Sequence, residues 1–265
     1  MTFGFIGAGN MGGALARAVA KSVAPENITL SDADTAKACG LARQIGAQSA
    51  PVETVAEKCH FIFLGVKPQV MATMFEQIRS KLRARKDHFV LVSMAAGVAI
   101  ADIHKMAGEY YPVIRIMPNI PASVGGGVIL FDNTNNVDER DIAAFEAAMA
   151  GAGLVDHLPE KLIDAGSALS GCGPAFVSLF IEALADGAVA CGLPRDKAMA
   201  YACQTLIGSA QMIQGGMHPG QLKDAVCSPG GTTIAGVNAL EDGTFRGATM
   251  NAVKAAYCRT LQLSK

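Results

Sequence analysis

The residue types best suited to chemistry lie in Cys227-Ser-Pro-Gly-Gly-Thr-Thr-Ile234, between two helical patterns. Pro229 fixes one backbone angle and removes a donor. Gly230 and Gly231 take conformations closed to other residues and leave bare backbone open to a ligand. Ser228, Thr232 and Thr233 add hydroxyls, the threonines just where the pattern Ile234, Val237, Leu240 starts a new helix. A helix start offers unpaired N–H groups and partial positive charge, which suit a small carboxylate or phosphate. Taken alone, the stretch is more simply a Pro-Gly turn with a threonine cap.

A second constellation opens the chain. Phe5-Ile-Gly-Ala-Gly-Asn-Met-Gly12 follows a strand pattern and leads into a helix, with glycines at 7, 9 and 12. In that setting Gly7 permits a tight turn, Gly9 lets a pyrophosphate reach the backbone, and Gly12 lets helix and strand pack closely. Gly7, Ala8, Gly9, Asn10, Met11 and Gly12 are therefore candidate dinucleotide contacts. Asp32 follows Gly7 by 25 residues and ends the second strand, where an acid can bind an adenosine ribose hydroxyl. Ser31 and Asp34 leave the choice between NADH and NADPH open. A carboxylate repels a 2′-phosphate and no arginine lies in this turn, Arg43 being a helix away, yet a serine can still donate to a phosphate.

Val66, Lys67 and Pro68 end a further strand, and Met94, Ala95 and Ala96 follow the next. Strand ends of such a sheet face the ligand crevice. Lys67 can contact cofactor phosphate or ribose there, or be an exposed loop lysine. The small residues after Ser93 can admit the nicotinamide, or simply pack. Ser170, Gly171 and Gly173 read equally as a helix cap and as a wall of the site. No Lys or Arg occurs between 162 and 194, which removes the catalytic lysine a 3-hydroxy-acid dehydrogenase would need. His218 sits at a turn before Pro219 and is more simply a surface histidine than an acid or base. Cys172 and Cys227 read as packing groups, since no base accompanies them as it would a nucleophile.

These residues need elements to hold them. Phe3–Ile6, Ile28–Leu30, 61–66, 89–93, 113–116 and 128–130 read as strands, separated by helical patterns at 10–23, to about 45, and at 69–86. The unbroken apolar run at 61–66 suits a strand buried on both faces of a parallel sheet. The alternation predicts an α/β doubly wound Rossmann-type sheet over residues 1–158. Beyond, 159–265 reads as all helical, at 174–192, 194–214, 219–226, 233–242 and 247–263. The first of these is apolar on nearly every face, which in so small a domain predicts burial against another subunit.

Composition bounds the rest. Hydrophobic residues make up 51% and the formal net charge is −1, so neither nucleic acid nor an anionic membrane surface is an expected partner. No apolar run reads as reaching the roughly 18 residues of a membrane span, and the start lacks a basic leader pattern. Seven cysteines without a C-x-x-C pair predict reduced thiols in a cytoplasmic protein. Five scattered histidines predict no metal site. Arg79, Lys81, Arg83, Arg85 and Lys86 read as a solvated face at a helix end.

Together, 5–12, Val66-Lys-Pro68, Ala95-Ala-Gly97, Arg115-Ile-Met-Pro-Asn119, 169–175 and above all 222–241 resemble the pyrroline-5-carboxylate reductase family along the whole chain. The segment around Ser-Pro-Gly-Gly-Thr-Thr is the specific part, since the dinucleotide motif is shared with many families. The resemblance implies reduction of 1-pyrroline-5-carboxylate to L-proline with NADPH or NADH. It also implies helical domains that interlock as a homodimer or higher homo-oligomer, and a substrate loop at Ser228, Gly230, Gly231, Thr232 and Thr233 completed by the partner's Rossmann domain.

The substrate is a cyclic imine that is already electrophilic when protonated, so positioning can supply roughly 7–11 kcal/mol of the barrier. On this reading the N–H groups of Gly230, Gly231 and Thr232 hold the carboxylate, and the Thr233 hydroxyl addresses the ring nitrogen. Ala225 stands where some relatives carry an Asn that meets the cofactor, a contact this chain cannot make. Two rivals remain at this point: a dehydrogenase of another small acid, and a non-catalytic dinucleotide binder.

Overall fold

Among the residues described by the computed structural model, 1–263, eight strands form one sheet. They are β1 (Phe3–Ile6), β2 (Ile28–Ser31), β3 (Gln48–Ser49), β4 (Phe61–Leu64), β5 (Val90–Ser93), β6 (Val113–Met117), β7 (Gly127–Asn133) and β8 (Gly153–His157). Their spatial order is β3-β2-β1-β4-β5-β6-β7-β8, and every pairing from β3 to β6 is parallel. This is the doubly wound Rossmann order, with the reversal between β1 and β4.

The strands alternate between two apolar layers, as a sheet covered on both faces requires. Phe3, Phe5, Phe61, Phe63, Val90 and Val92 join one core, and Ile62, Leu64, Leu91 and Val113 the other. Phe3 stacks on Phe61 and Phe5 on Phe63 across the β1–β4 pair, at centroid distances of 5.1 and 4.4 Å. The helices α1 (Asn10–Val19), α2 (Thr35–Ile45), α3 (Val52–Lys58), α4 (Met71–Ala84), α5 (Ile100–Ala107) and α6 (Glu139–Met149) accompany the sheet. The helical patterns expected at 10–23 and 69–86 are shorter, because residues 20–23 leave the helix and Pro68–Val70 forms a 3-10 turn.

One departure from the parallel expectation lies at β7, which runs antiparallel to β6. The connection 118–126 holds only a short 3-10 turn, and a parallel return needs a crossover of a dozen or more residues. β8 then pairs parallel with β7.

The described residues form two compact units, Met1–Gly171 with 257–263, and Cys172–Ala256. The first therefore extends past residue 158 to include α7 (Glu160–Ser170). Polar anchors explain this. Arg115 on β6, its side chain 7% exposed, donates to Glu160 Oε1 at 3.0 Å and to Asp164 Oδ1 at 3.3 Å. Asn119 Nδ2 donates to the Ser170 carbonyl, and Asn119 Oδ1 accepts the Val128 N–H, both at 2.9 Å.

The basic cluster is not uniformly solvated. Arg85 has a side chain only 4% exposed, donates to the carbonyls of Ala56 and Cys59, and lies 4.4 Å over the Phe89 ring. Arg79 donates to the Met106 carbonyl. Sequence periodicity at a helix end does not reveal which long side chains fold back to cap neighbouring carbonyls. Nearby, the buried Asp141 carboxylate bonds both His60 Nε2 and His88 Nε2 at 2.7 Å, tying α6 to the starts of β4 and β5.

The second unit contains α8 (Gly173–Ala190), α9 (Arg195–Gln214), α10 (Pro219–Val226), α11 (Thr232–Asp242) and the first part of α12 (Phe245–Leu263). Among its described residues only Ala185, Ala198 and Ala202 are buried, while Val177, Leu179, Tyr201 and Ile207 are exposed. Within the helical stretch Glu160–Ala190 an 18-residue window reaches mean hydropathy 1.5, long and apolar enough to cross a membrane by length and composition, contrary to expectation. Alanine, glycine and serine interrupt a run of large apolar residues without lowering its average hydropathy much.

Candidate active site

The turn after β1 is held from two sides. Gly7 donates its N–H to the Ser31 carbonyl at 2.7 Å and has φ +106°, and a Cβ there would lie 2.5 Å from the Gly65 carbonyl oxygen. Any side chain at 7 would push β1 and β4 apart at the point where the strand order reverses. Gly9 is the opposite case: a Cβ there would meet no atom within 4 Å. Gly9 also precedes α1, whose start has neither a side-chain cap nor an acidic residue in its first turn. Open backbone before an uncapped helix start fits a pyrophosphate.

A cleft of about 730 Å³ runs alongside this turn. Of the residues expected at a dinucleotide, Gly7, Gly9, Ser31, Asp32, Val66 and Lys67 line it. Ala8, Asn10, Met11, Gly12, Pro68, Met94, Ala95 and Ala96 do not line it. Ala8 and Gly12 are buried, Ala95 is packed into the second core, and Asn10, Pro68 and Ala96 are exposed.

The Ala8 N–H donates to Asp32 Oδ2 at 2.7 Å, and the Asp34 N–H to Asp32 Oδ1 at 2.9 Å. Thr35, Cys39 and Ser49 also line the cleft and were not among the expected residues. The i, i+4 spacing of Thr35 and Cys39 puts them on one face of α2, a signal present in the sequence. Cys39 Sγ lies 3.1 Å from Ser49 Oγ.

The loop at 227–234 is a turn leading into α11. Gly230 has φ +67°, and the Gly231 N–H donates to the Ser228 carbonyl at 3.0 Å. Gly231 is the residue before α11, and no side chain caps that helix start. The first-turn N–H groups from Thr232 on are those a helix leaves unpaired. The turn itself uses the Gly231 N–H, one of the donors expected at a carboxylate. The threonine cap of the simpler reading is absent.

The remaining candidates separate clearly. His218 Nδ1 accepts the Gly220 N–H at 3.1 Å and caps α10, an exposed structural role. Ser170 Oγ donates back to the Gly166 carbonyl at the end of α7. All seven cysteines are free thiols. The ligand atoms of His88, Asp138 and Asp141 lie within 4.8 Å of one another, the one such grouping among the described residues.

A Rossmann sheet with an open glycine turn and an acid just after β2 defines the class, a dinucleotide-binding protein. Comparison with known proteins narrows it. Residues 160–263 match the family model for pyrroline-5-carboxylate reductase dimerisation, and residues 2–97 that for NADP oxidoreductase, coenzyme F420-dependent. The chain is 43% identical over 270 residues to pyrroline-5-carboxylate reductase of Arabidopsis thaliana, covering 99% of this chain and 95% of that protein. It is 38% identical to the enzyme of Methanosarcina acetivorans, with 99% and 97% covered.

Among solved structures, the pyrroline-5-carboxylate reductase of Coxiella burnetii aligns at TM-score 0.91 and 31% identity, covering 100% of this chain and 98% of that one. The Plasmodium falciparum pyrroline carboxylate reductase, solved with NADP bound, aligns at TM-score 0.87 and 31% identity, again covering 100% and 98%. The chain belongs to the pyrroline-5-carboxylate reductase family and is an NAD(P)H-dependent oxidoreductase of proline biosynthesis.

Proposed function

We propose the following residue roles for the reaction of this reductase, 1-pyrroline-5-carboxylate to L-proline. The observation that carries the reading is the uncapped start of α11 behind the Ser228–Gly231 turn, in a chain 43% identical to a full-length plant relative of that activity.

Gly7, Gly9 and the start of α1, through Asn10, Met11 and Gly12, hold the pyrophosphate of NAD(P)H. Ser31 and Asp32 receive the adenosine ribose, with Ala8 fixing the Asp32 carboxylate from behind. Val66, Lys67 and Pro68 contact ribose or phosphate, and Met94, Ala95 and Ala96 border the nicotinamide. Bound in this way, the reduced cofactor supplies the hydride that the imine carbon receives.

The N–H groups of Gly230, Thr232 and Thr233 hold the substrate carboxylate, with Ser228 and Gly231 shaping the turn beneath it. The Thr233 hydroxyl hydrogen-bonds the ring nitrogen and holds a proton there, which keeps the imine carbon electrophilic. The charge lost at the imine during reduction leaves a neutral amine, so no strong acid is required of the chain. Orientation of the two reactants supplies most of the effect.

The chain divides functionally near residue 158, into a dinucleotide domain and a helical substrate domain, in line with a dimerisation match that starts at residue 160. The helical domain works as part of a homodimer or larger homo-oligomer. Its exposed apolar residues and its lack of a core of its own support that assembly. Free thiols throughout support a cytoplasmic location. The deciding experiment is proline formation from 1-pyrroline-5-carboxylate by the purified protein with each reduced cofactor. No proline with either would end this reading.

A further inference from the structure

We infer that this reductase selects NADH over NADPH, and that Asp32, backed by Asp34, is the selecting residue. The inference rests on the functional reading above, in that the cleft beside Gly7 and Gly9 must take the dinucleotide.

Asp32 directly follows β2 and lines the cleft. Two backbone donors fix its carboxylate, Ala8 N–H on Oδ2 at 2.7 Å and Asp34 N–H on Oδ1 at 2.9 Å. Each oxygen keeps a second lone pair. The group is therefore held in one place with acceptors to offer and no proton to give. A ribose with free 2′ and 3′ hydroxyls supplies two donors and matches it. A 2′-phosphate supplies only acceptors and negative charge, and opposes it.

Two backbone donors a phosphate would use are already taken, which leaves it the hydroxyls of Ser31 and Thr35 on the cleft wall. Helix α2 starts three residues after Asp32, and Asp34 Oδ1 accepts its Ala36 and Lys37 N–H groups at 3.1 and 3.3 Å. A second carboxylate therefore occupies the place where a phosphate would be stabilised by the helix start. Cations do not compensate. Of the described charged residues, only Asp32 and Lys67 line the cleft. Lys67 follows β4, two strands from β2 and about 10 Å across the sheet. Lys37 and Arg43, on α2, do not line it. Because the Plasmodium falciparum relative was solved with NADP, the family fold as such does not decide the matter, and the residues of this turn must.

The test uses the purified full-length protein. Kd for NADH and for NADPH is measured from the change in reduced-nicotinamide fluorescence on binding, and kcat/KM for each with 1-pyrroline-5-carboxylate. The expected result is a preference for NADH of at least about tenfold in both measures. Asp32→Asn should shrink that ratio by weakening NADH and strengthening NADPH. Ala33→Arg leaves both carboxylates in place and should strengthen NADPH alone. Equal or tighter NADPH binding by the unaltered protein overturns the inference while leaving the functional reading intact. So does an Asp32→Asn variant that weakens both cofactors equally, since that would mark Asp32 as a brace for the glycine turn only. Failure to bind either cofactor overturns both readings together.

Discussion

Arg115 of β6 and Glu160 of α7 form an ion pair at 3.0 Å, and the same guanidinium reaches Asp164 one turn further along the helix. The arginine side chain is 7% exposed while the two carboxylates are 31% and 26% exposed. Arg115→Leu leaves two partly wet carboxylates without their cation, so the expected loss is about 2 kcal/mol, less than for a fully buried pair. Urea unfolding followed by circular dichroism measures it. An unchanged midpoint would show that apolar packing alone seats α7.

Thr233→Val removes one hydroxyl and keeps the shape of the first turn of α11. Turnover should fall about a hundredfold, within the range for a positioned proton donor or acceptor, while the Kd of the reduced cofactor stays nearly constant. A variant that folds and retains the original kcat/KM removes Thr233 from the chemistry.

Gly230→Ala places a Cβ at φ +67°, a left-handed conformation that costs roughly 1–2 kcal/mol for an ordinary residue. A turn relaxed from that conformation no longer aims the Gly230 and Thr232 N–H groups together. KM for the imine should rise by more than kcat falls. An equal fall in kcat with KM unchanged would place the turn's contribution in the transition state only.

Cys59 is 2% exposed, and burial pushes its thiol up to about 11. The folded state thus holds this proton more tightly than the unfolded chain does. That contribution is fully present below the unfolded pKa, near 9, and is lost as pH rises through about 11. It is on the order of 2 kcal/mol across that window. Cys59→Ala should flatten the alkaline arm of the stability profile. Native protein should leave Cys59 unlabelled by iodoacetamide at pH 8, with labelling on unfolding.

Leu179 on α8 is 65% exposed in the single chain. If the helical domains associate, Leu179→Glu buries a charge at that contact and should shift sedimentation toward the monomer. Loss of activity should accompany the shift. A monodisperse assembly unaffected by the change would move the interface to another face of the helices.

Much of the dinucleotide domain was legible along the chain because its signals are local. Phe61 to Leu64 are apolar at every position, as a strand covered on both faces must be, and β1 begins and ends where its pattern does. The Gly7, Gly9 and Gly12 spacing likewise reports a turn that only a few residues make. β3 was missed since its two residues are exposed and carry no apolar pattern, and the direction of β7 depended on the length of a loop.

The site divides in the same way. Sequence by itself determined the family, the Rossmann class, the turn at 228–231 and the helix start behind it, because each rests on residue types a few positions apart. Tertiary structure alone decided which donors are still available. Ala8 N–H belongs to Asp32 and Gly231 N–H to Ser228, while Asp34 occupies the start of α2. It also decided that α7 is seated on β6 through Arg115, 45 positions from Glu160 in the chain. Hydrogen-bond partners are chosen by distance and direction in three dimensions, and a donor turned inward offers less to a ligand. Spacing along the chain can propose a cradle, but only the folded backbone determines which of its N–H groups face outward.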